Sequence, residues 1–276
     1  MNILQNDCKF EGSERVPQLM SGRFCLLSGL LGIALATWEV GPAVGSLAPA
    51  KPGKPKPAPK WQVLYLGGKQ GVRGTKPLDE KSPLKPITEL ELTGPSEGHP
   101  FLLGAFSING RFGIMDGLLT RTEGLNAAVE LASVENFELE GIVNAEGLGG
   151  WFMMVGLHEG HGHVISNVTM KTSGSPWQYC EYRGGKGIVE THREINRLEW
   201  KGFQPLFVSV KDRKLSFRVG TVRIADEIEI ENYHKGRLIL ATYDTKYGAM
   251  PVRVRSLRIR ELPPSPAEPA APEPAL

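Results

Sequence analysis

Trp177, Tyr179 and Glu181 are spaced by two, and Arg183 continues the series. Residues two apart on an extended strand project from one face. This segment can therefore present an indole, a phenol, a carboxylate and a guanidinium side by side. A pyranose has an apolar face and a rim of hydroxyls, so sugar sites combine flat apolar platforms with a few convergent polar groups. Trp151, Trp200 and His163 fall in the same part of the chain. These aromatics can equally pack between sheets, because aromatic rings dominate core burial. Glu181 and Arg183 on the same face favour a wet, ligand-facing surface. Substrate contacts are expected from Trp177, Tyr179, Arg183 and Trp151.

Hydrolysis of a glycoside by acid/base chemistry requires two carboxyl groups across the scissile bond. Glu138, Glu140, Glu159, Glu181 and Glu190 are the candidates. Glu138 and Glu140 would stand about 7 Å apart on one strand face, from the rise per residue. Phe137 and Leu139 alternate with them, which reads as the outer face of a half-buried strand. In a hydrolase, Glu181 would serve as acid or base with His163 assisting. His158, His161 and His163 could reach one ion from a loop. Gly160 and Gly162 instead mark a flexible connection between two strands, and no distant cysteine or acidic partner completes a ligand set. No metal and no cofactor is expected. The chain has no nucleophile elbow, phosphate-binding loop or dinucleotide fingerprint. Its formal net charge is +2. Such a balance gives no sign of a nucleic-acid partner, and the arginines at 253, 255, 258 and 260 read as one solvated strand face.

Short strands must position these groups. Residues 204–262 alternate apolar and polar positions, with Leu215, Phe217 and Val219 on one face and Ser216 and Arg218 on the other. Asp212 marks one turn, and Gly220 sits where a II′ hairpin needs positive φ. Further strands are expected at 61–66, 101–108, 113–120, 127–132, 136–143, 151–157, 163–170, 177–182, 187–190 and 197–200, then 206–210, 214–219, 222–224, 228–230, 237–243 and 252–260. Gly149-Gly150 and Gly184-Gly185 read as turns. On the last strand Val252 and Val254 are out of phase with Leu257 and Ile259, which predicts a β-bulge near Arg255-Ser256. No amphipathic helical pattern of ten residues or more stands out. Many short strands with regular turn signals predict an all-β, two-sheet antiparallel β-sandwich, or jelly roll.

The sandwich is expected over residues 61–262. Residues 1–46 read as leader and signal peptide, 47–60 as a Pro/Lys-rich linker, and 263–276 as a Pro/Ala-rich disordered tail. Residues 24–36 form an apolar run of signal-peptide length after Arg23, too short to span a bilayer comfortably. Met20 reads as the true start, and Ala34-Leu35-Ala36 or Val44-Gly45-Ser46 as the cleavage site. An uncleaved signal would be the one route to a membrane. Of three cysteines, only Cys180 would stay in a mature domain, so no internal bridge is available. The expected location is secreted, or the periplasm or envelope of a bacterium.

Residues 136–141, 149–156, 200–220, 236–243 and 252–262 together resemble the strands of concanavalin A-like (laminin-G-like) jelly rolls. The layout is similar to exported bacterial 3-keto-disaccharide hydrolase-like domains. The resemblance covers residues 125–262 and implies a two-sheet sandwich, a concave face and a carbohydrate partner. The Glu-x-Asp-x-x-Glu strand of the β-glucanase members is absent. Two functions are compatible with these features. One is a hydrolase of a glycoside or 3-keto-disaccharide, and the other a non-catalytic glycan-binding or envelope-interaction module.

Overall fold

A computed structural model describes residues 58–68, 72–94, 105–147, 149–169, 176–198, 200–243 and 252–265. All belong to one compact unit spanning Pro55–Leu276. The leader, most of the linker and most of the tail lie outside the described residues. Strand follows strand: β1 (Gln62–Leu66), β2 (Thr75–Pro77), β3 (Lys85–Ile87), β4 (Glu91–Leu92), β5 (Phe106–Ser107), β6 (Arg111–Met115), β7 (Leu118–Glu123), β8 (Ala127–Val134), β9 (Phe137–Asn144) and β10 (Gly149–His158). Next come β11 (His161–Thr169), β12 (Pro176–Arg183), β13 (Lys186–Gly187), a single 3₁₀ turn (Val189–Thr191) and β14 (Arg193–Arg197). The series closes with β15 (Gln204–Lys211), β16 (Lys214–Val219), β17 (Val222–Glu229), β18 (Gly236–Tyr243) and β19 (Arg253–Glu261). No helix among the described residues is long and apolar enough to cross a membrane.

Two large antiparallel sheets face each other. Sheet A runs β17-β16-β15-β9-β19-β7-β6-β2, with β1 also on β19. Sheet B runs β13-β12-β11-β10-β18-β8-β3, with β14 also on β12. Period-two alternation aims Leu139, Leu215, Phe217, Val254 and Leu257 of sheet A at Trp151, Met153, Ile165 and Leu240 of sheet B, forming the inter-sheet core. The other face of sheet B is also apolar. Phe152, Met154, Tyr182 and Tyr243 pack there with Ile87 of β3 and with Leu92 and Phe106, which makes a second core under β4 and β5. Residues on both faces of β10 are consequently buried.

Local chemistry explains where strands begin and end. Asp212 and Arg213 both take positive φ (49° and 63°), as a I′ hairpin requires, and Gly220 takes φ 58° as expected for its turn. The bulge on β19 is present: the register against β9 shifts between Val254 and Ser256, and Val254, Leu257 and Ile259 are all buried.

Several expectations are corrected. Residues 113–120 are not one strand, because Asp116-Gly117 (φ 51° and 74°) folds a tight hairpin between β6 and β7. The strands expected at 222–224 and 228–230 are one strand, Val222–Glu229, with bulges absorbing Asp226 and Glu227. The strand expected at 197–200 lies earlier, at β14, where Arg193 to Arg197 pair with β12. The expected strand at 187–190 is mostly the 3₁₀ turn. Gly149-Gly150 opens β10 instead of making a turn, and the ring of Tyr243 lies where a side chain at Gly150 would project. Of residues 101–108, β5 covers Phe106 and Ser107, and residues 101–104 lie outside the described ones.

Candidate functional site

Strand β12 places Trp177, Tyr179 and Glu181 on one face, as the spacing requires. That face looks inward, between the sheets. Trp177 is wholly buried, and its indole meets Trp151 edge-on at 5.3 Å, Trp200 at 6.2 Å and Phe217 at 5.1 Å. Trp200 is fixed by donating from Nε1 to Asn167 Oδ1 at 3.0 Å. Trp177 and Trp151, expected as an open platform, are therefore inter-sheet core. The physical reason is that β14 and the facing strands of sheet A close over this end of β12. Tyr179 and Glu181 are also buried, at 5% and 4% exposure.

The face opens at its far end. Tyr179, Glu181, Glu190, Thr191, His192, Arg193, Glu229 and Glu231 line a hollow of about 300 Å³. One wall comes from β12, the 3₁₀ turn and β14, and the other from the end of β17. Asn196 Nδ2 donates to the Arg223 carbonyl at 2.7 Å, tying β14 of sheet B to β17 of sheet A. Thr191 anchors the turn: its Oγ1 accepts from the Glu181 N–H and donates to the Ile188 carbonyl, both at 2.8 Å.

Glu181 and Tyr179 have defined partners. Arg183 Nε and Nη2 donate to the two oxygens of Glu181 at 2.8 and 3.2 Å. This two-point clamp fixes the carboxylate and adds a charge-assisted geometry. Arg193 lies over the ring of Tyr179, 5.1 Å from its centre. The phenol therefore offers its edge, not a stacking face. Tyr179 OH and His163 Nδ1 lie 2.9 Å apart. Burial pushes the His163 imidazole down to about 4, while nearby Glu181 opposes that shift. Burial likewise raises the Tyr179 hydroxyl above its usual range. Both groups are thus neutral at pH 7.

Glu181, Tyr179 and Arg183 are thus brought together at one end of β12, with His163 behind Tyr179. Sequence reasoning missed Arg193, Glu229 and Glu231. No spacing rule connects β17 to β12, since their meeting depends on which sheet edges close on each other. No group of three or more His, Cys, Asp or Glu side chains among the described residues could hold a metal ion. His158 and Glu159 sit 3.7 Å apart on an exposed hairpin tip.

No family model matches the chain, and no curated protein does. The two facing antiparallel sheets make the β-sandwich expected from the sequence. Similar solved structures include a carbohydrate-binding module from Bacillus subtilis, with 12% identity and TM-score 0.41 over 54% of this chain and 91% of that one. A β-glucanase of Bacillus licheniformis has 8% identity and TM-score 0.45 over 70% of this chain and 100% of that one. A glycosyl hydrolase family 16 protein from Mycobacterium smegmatis has 11% identity and TM-score 0.45 over 72% of this chain and 98% of that one. At such identities the likeness concerns fold and transfers no residue role.

Proposed function

We propose that this chain is a glycan-binding module that engages saccharide at the hollow beside Tyr179 and Glu181, without hydrolysing it. The observation that carries the reading is the convergence of Glu181, Arg193, Glu229 and Glu231 on one hollow of about 300 Å³. That volume lies at the small end of ligand sites. Carboxylates accept from sugar hydroxyls and guanidinium donates to them, so this wall can bond a hydroxyl rim from several sides. Exported placement, in the medium or a bacterial envelope, is part of the proposal. It rests on the apolar run at residues 24–36 and on Cys180 being the only cysteine in the sandwich.

A hydrolase of a glycoside or 3-keto-disaccharide is the second reading, favoured by the neighbouring carboxylates. Two features speak for binding instead. Both oxygens of Glu181 accept from Arg183, so this carboxylate is oriented by an ion pair on its own strand. His163 is buried and neutral, and its Nδ1 is occupied by Tyr179. Incubating the full chain with a glycan array and a panel of plain and 3-keto disaccharides separates the readings. We expect retention on at least one glycan with no product released, and binding weakened roughly tenfold in Arg193→Ala, as for a lost charge-assisted hydrogen bond. Turnover that disappears in Glu181→Gln would establish the hydrolase. Absence of both binding and turnover would overturn a carbohydrate role.

A further inference from the structure

On the outer face of sheet A the arginines of β19 are not equivalent. Arg255 lies over Phe203 at 4.1 Å from the ring centre. Arg258 donates from Nε to Glu140 at 2.9 Å and covers Trp61. Arg260 donates from Nε to Glu138 at 2.6 Å and lies over the same indole. Arg253 is the exception: its Nε is shielded from bulk water and has no hydrogen-bond partner among the described residues. A guanidinium is charged at every working pH, and a desolvated N–H without an acceptor is costly.

A second unmatched donor lies beside it. Leu119 and Val254 are register partners pointing into the core, so their neighbours Thr120 and Arg253 share the outer face. Thr120 is 3% exposed, and its hydroxyl also lacks a partner among the described residues. Gly113 stands opposite Thr120 on β6. A side chain at 113 would run into Thr122 and the Lys76 carbonyl. Thr120 and Arg253 line a hollow of about 490 Å³, together with Met115, Leu118 and Thr122. Its volume suits a molecule of sugar size better than a bare ion. Asp116 and Glu123 at its margin disfavour a polyanion.

The geometry points to a second binding site, independent of the one beside Tyr179, in which Arg253 and Thr120 hold the single oxyanion of an acidic sugar-sized ligand while Met115 and Leu118 contact its apolar body. Carboxylate and sulfate ester share the required chemistry, a singly charged group accepting two hydrogen bonds.

Titration calorimetry of the full chain with glucuronate, glucose 6-sulfate and glucose, at constant ionic strength, tests this. Binding of either anion with at least tenfold preference over glucose supports the site, and the stronger anion identifies the source. Arg253→Gln should remove that preference, and Thr120→Val should weaken the preferred anion about tenfold or more, the worth of one hydrogen bond to a charged group. If Arg253→Gln does not fold, Thr120→Val alone decides. No preference for an anion in the wild type, or a preference unchanged in the foldable variants, overturns the inference. Arg193→Ala is the control: it should leave anion binding at Arg253 intact.

Discussion

His163 shows how burial settles what a side chain can do. Its imidazole faces the Tyr179 hydroxyl at 2.9 Å, and burial moves its pKa down to about 4. The unfolded chain binds a proton near pH 6.5, so between about 6.5 and 4 it holds more protons than the native protein. Stability from this residue is therefore complete above pH 6.5 and lost as pH falls toward 4, by at most about 3 kcal/mol. The urea midpoint should drop over that window in the wild type and follow a flatter acid limb in His163→Gln. Equal slopes would refute the assignment. The same logic explains what was legible at Trp177, Tyr179 and Glu181. A spacing of two fixes a shared face, and that expectation is met. It does not say whether the face looks into a core or into solvent, which depends on a second sheet far away in sequence.

At the scale of the element, β19 is the clearest case of sequence dictating structure. Val254 and Leu257 are both buried although three positions apart, so alternation alone cannot put both inward. One extra residue reconciles them, and the register shift lies where the phase change in the apolar pattern predicts. Deleting Arg255 should leave Val254, Leu257 and Ile259 inward on a continuous strand. The expected loss is about 1–2 kcal/mol, chiefly the Phe203 contact and the Gly67 hydrogen bond to the Arg255 carbonyl. Deleting Arg258 should instead turn Ile259 outward and Arg260 into the core, and cost about 4 kcal/mol or more. Urea midpoints of the two deletions give the comparison, and similar losses would contradict the bulge argument. The hairpin at Asp116-Gly117 was equally legible in principle. It escaped because apolar residues stand directly on both sides of it, Ile114-Met115 before and Leu118-Leu119 after. The position of β14 was not legible, since Arg193, Glu194 and Arg197 give no apolar alternation. They pair with β12 as an exposed edge, where the backbone ladder, not burial, decides the strand.

For the molecule as a whole, the two sheets differ in how they are sealed. Sheet A has one apolar face and one polar face crossed by ion pairs such as Arg258–Glu140 and Arg260–Glu138. Such exposed pairs contribute little stability each. Sheet B is covered on both faces, by sheet A within and by β4 and β5 without. Its central strands should therefore open only when the whole domain unfolds, because exposing them removes two cores at once. Native-state hydrogen exchange gives the measurement. Amides of β10 and β18 should exchange with the global unfolding free energy. Those of β2, whose residues are all exposed, and of the edge strand β14 should exchange through local openings at much lower cost. Phe106→Ala would remove the ring that meets Phe152 edge-on at 5.1 Å and cost about 3–5 kcal/mol. It should lower protection across β10 and β18 to the reduced global value. If β9 and β19 proved more protected than β10 and β18, the stability of this sandwich would reside in the inter-sheet core alone, and the outer covering of sheet B would be a separately opening layer.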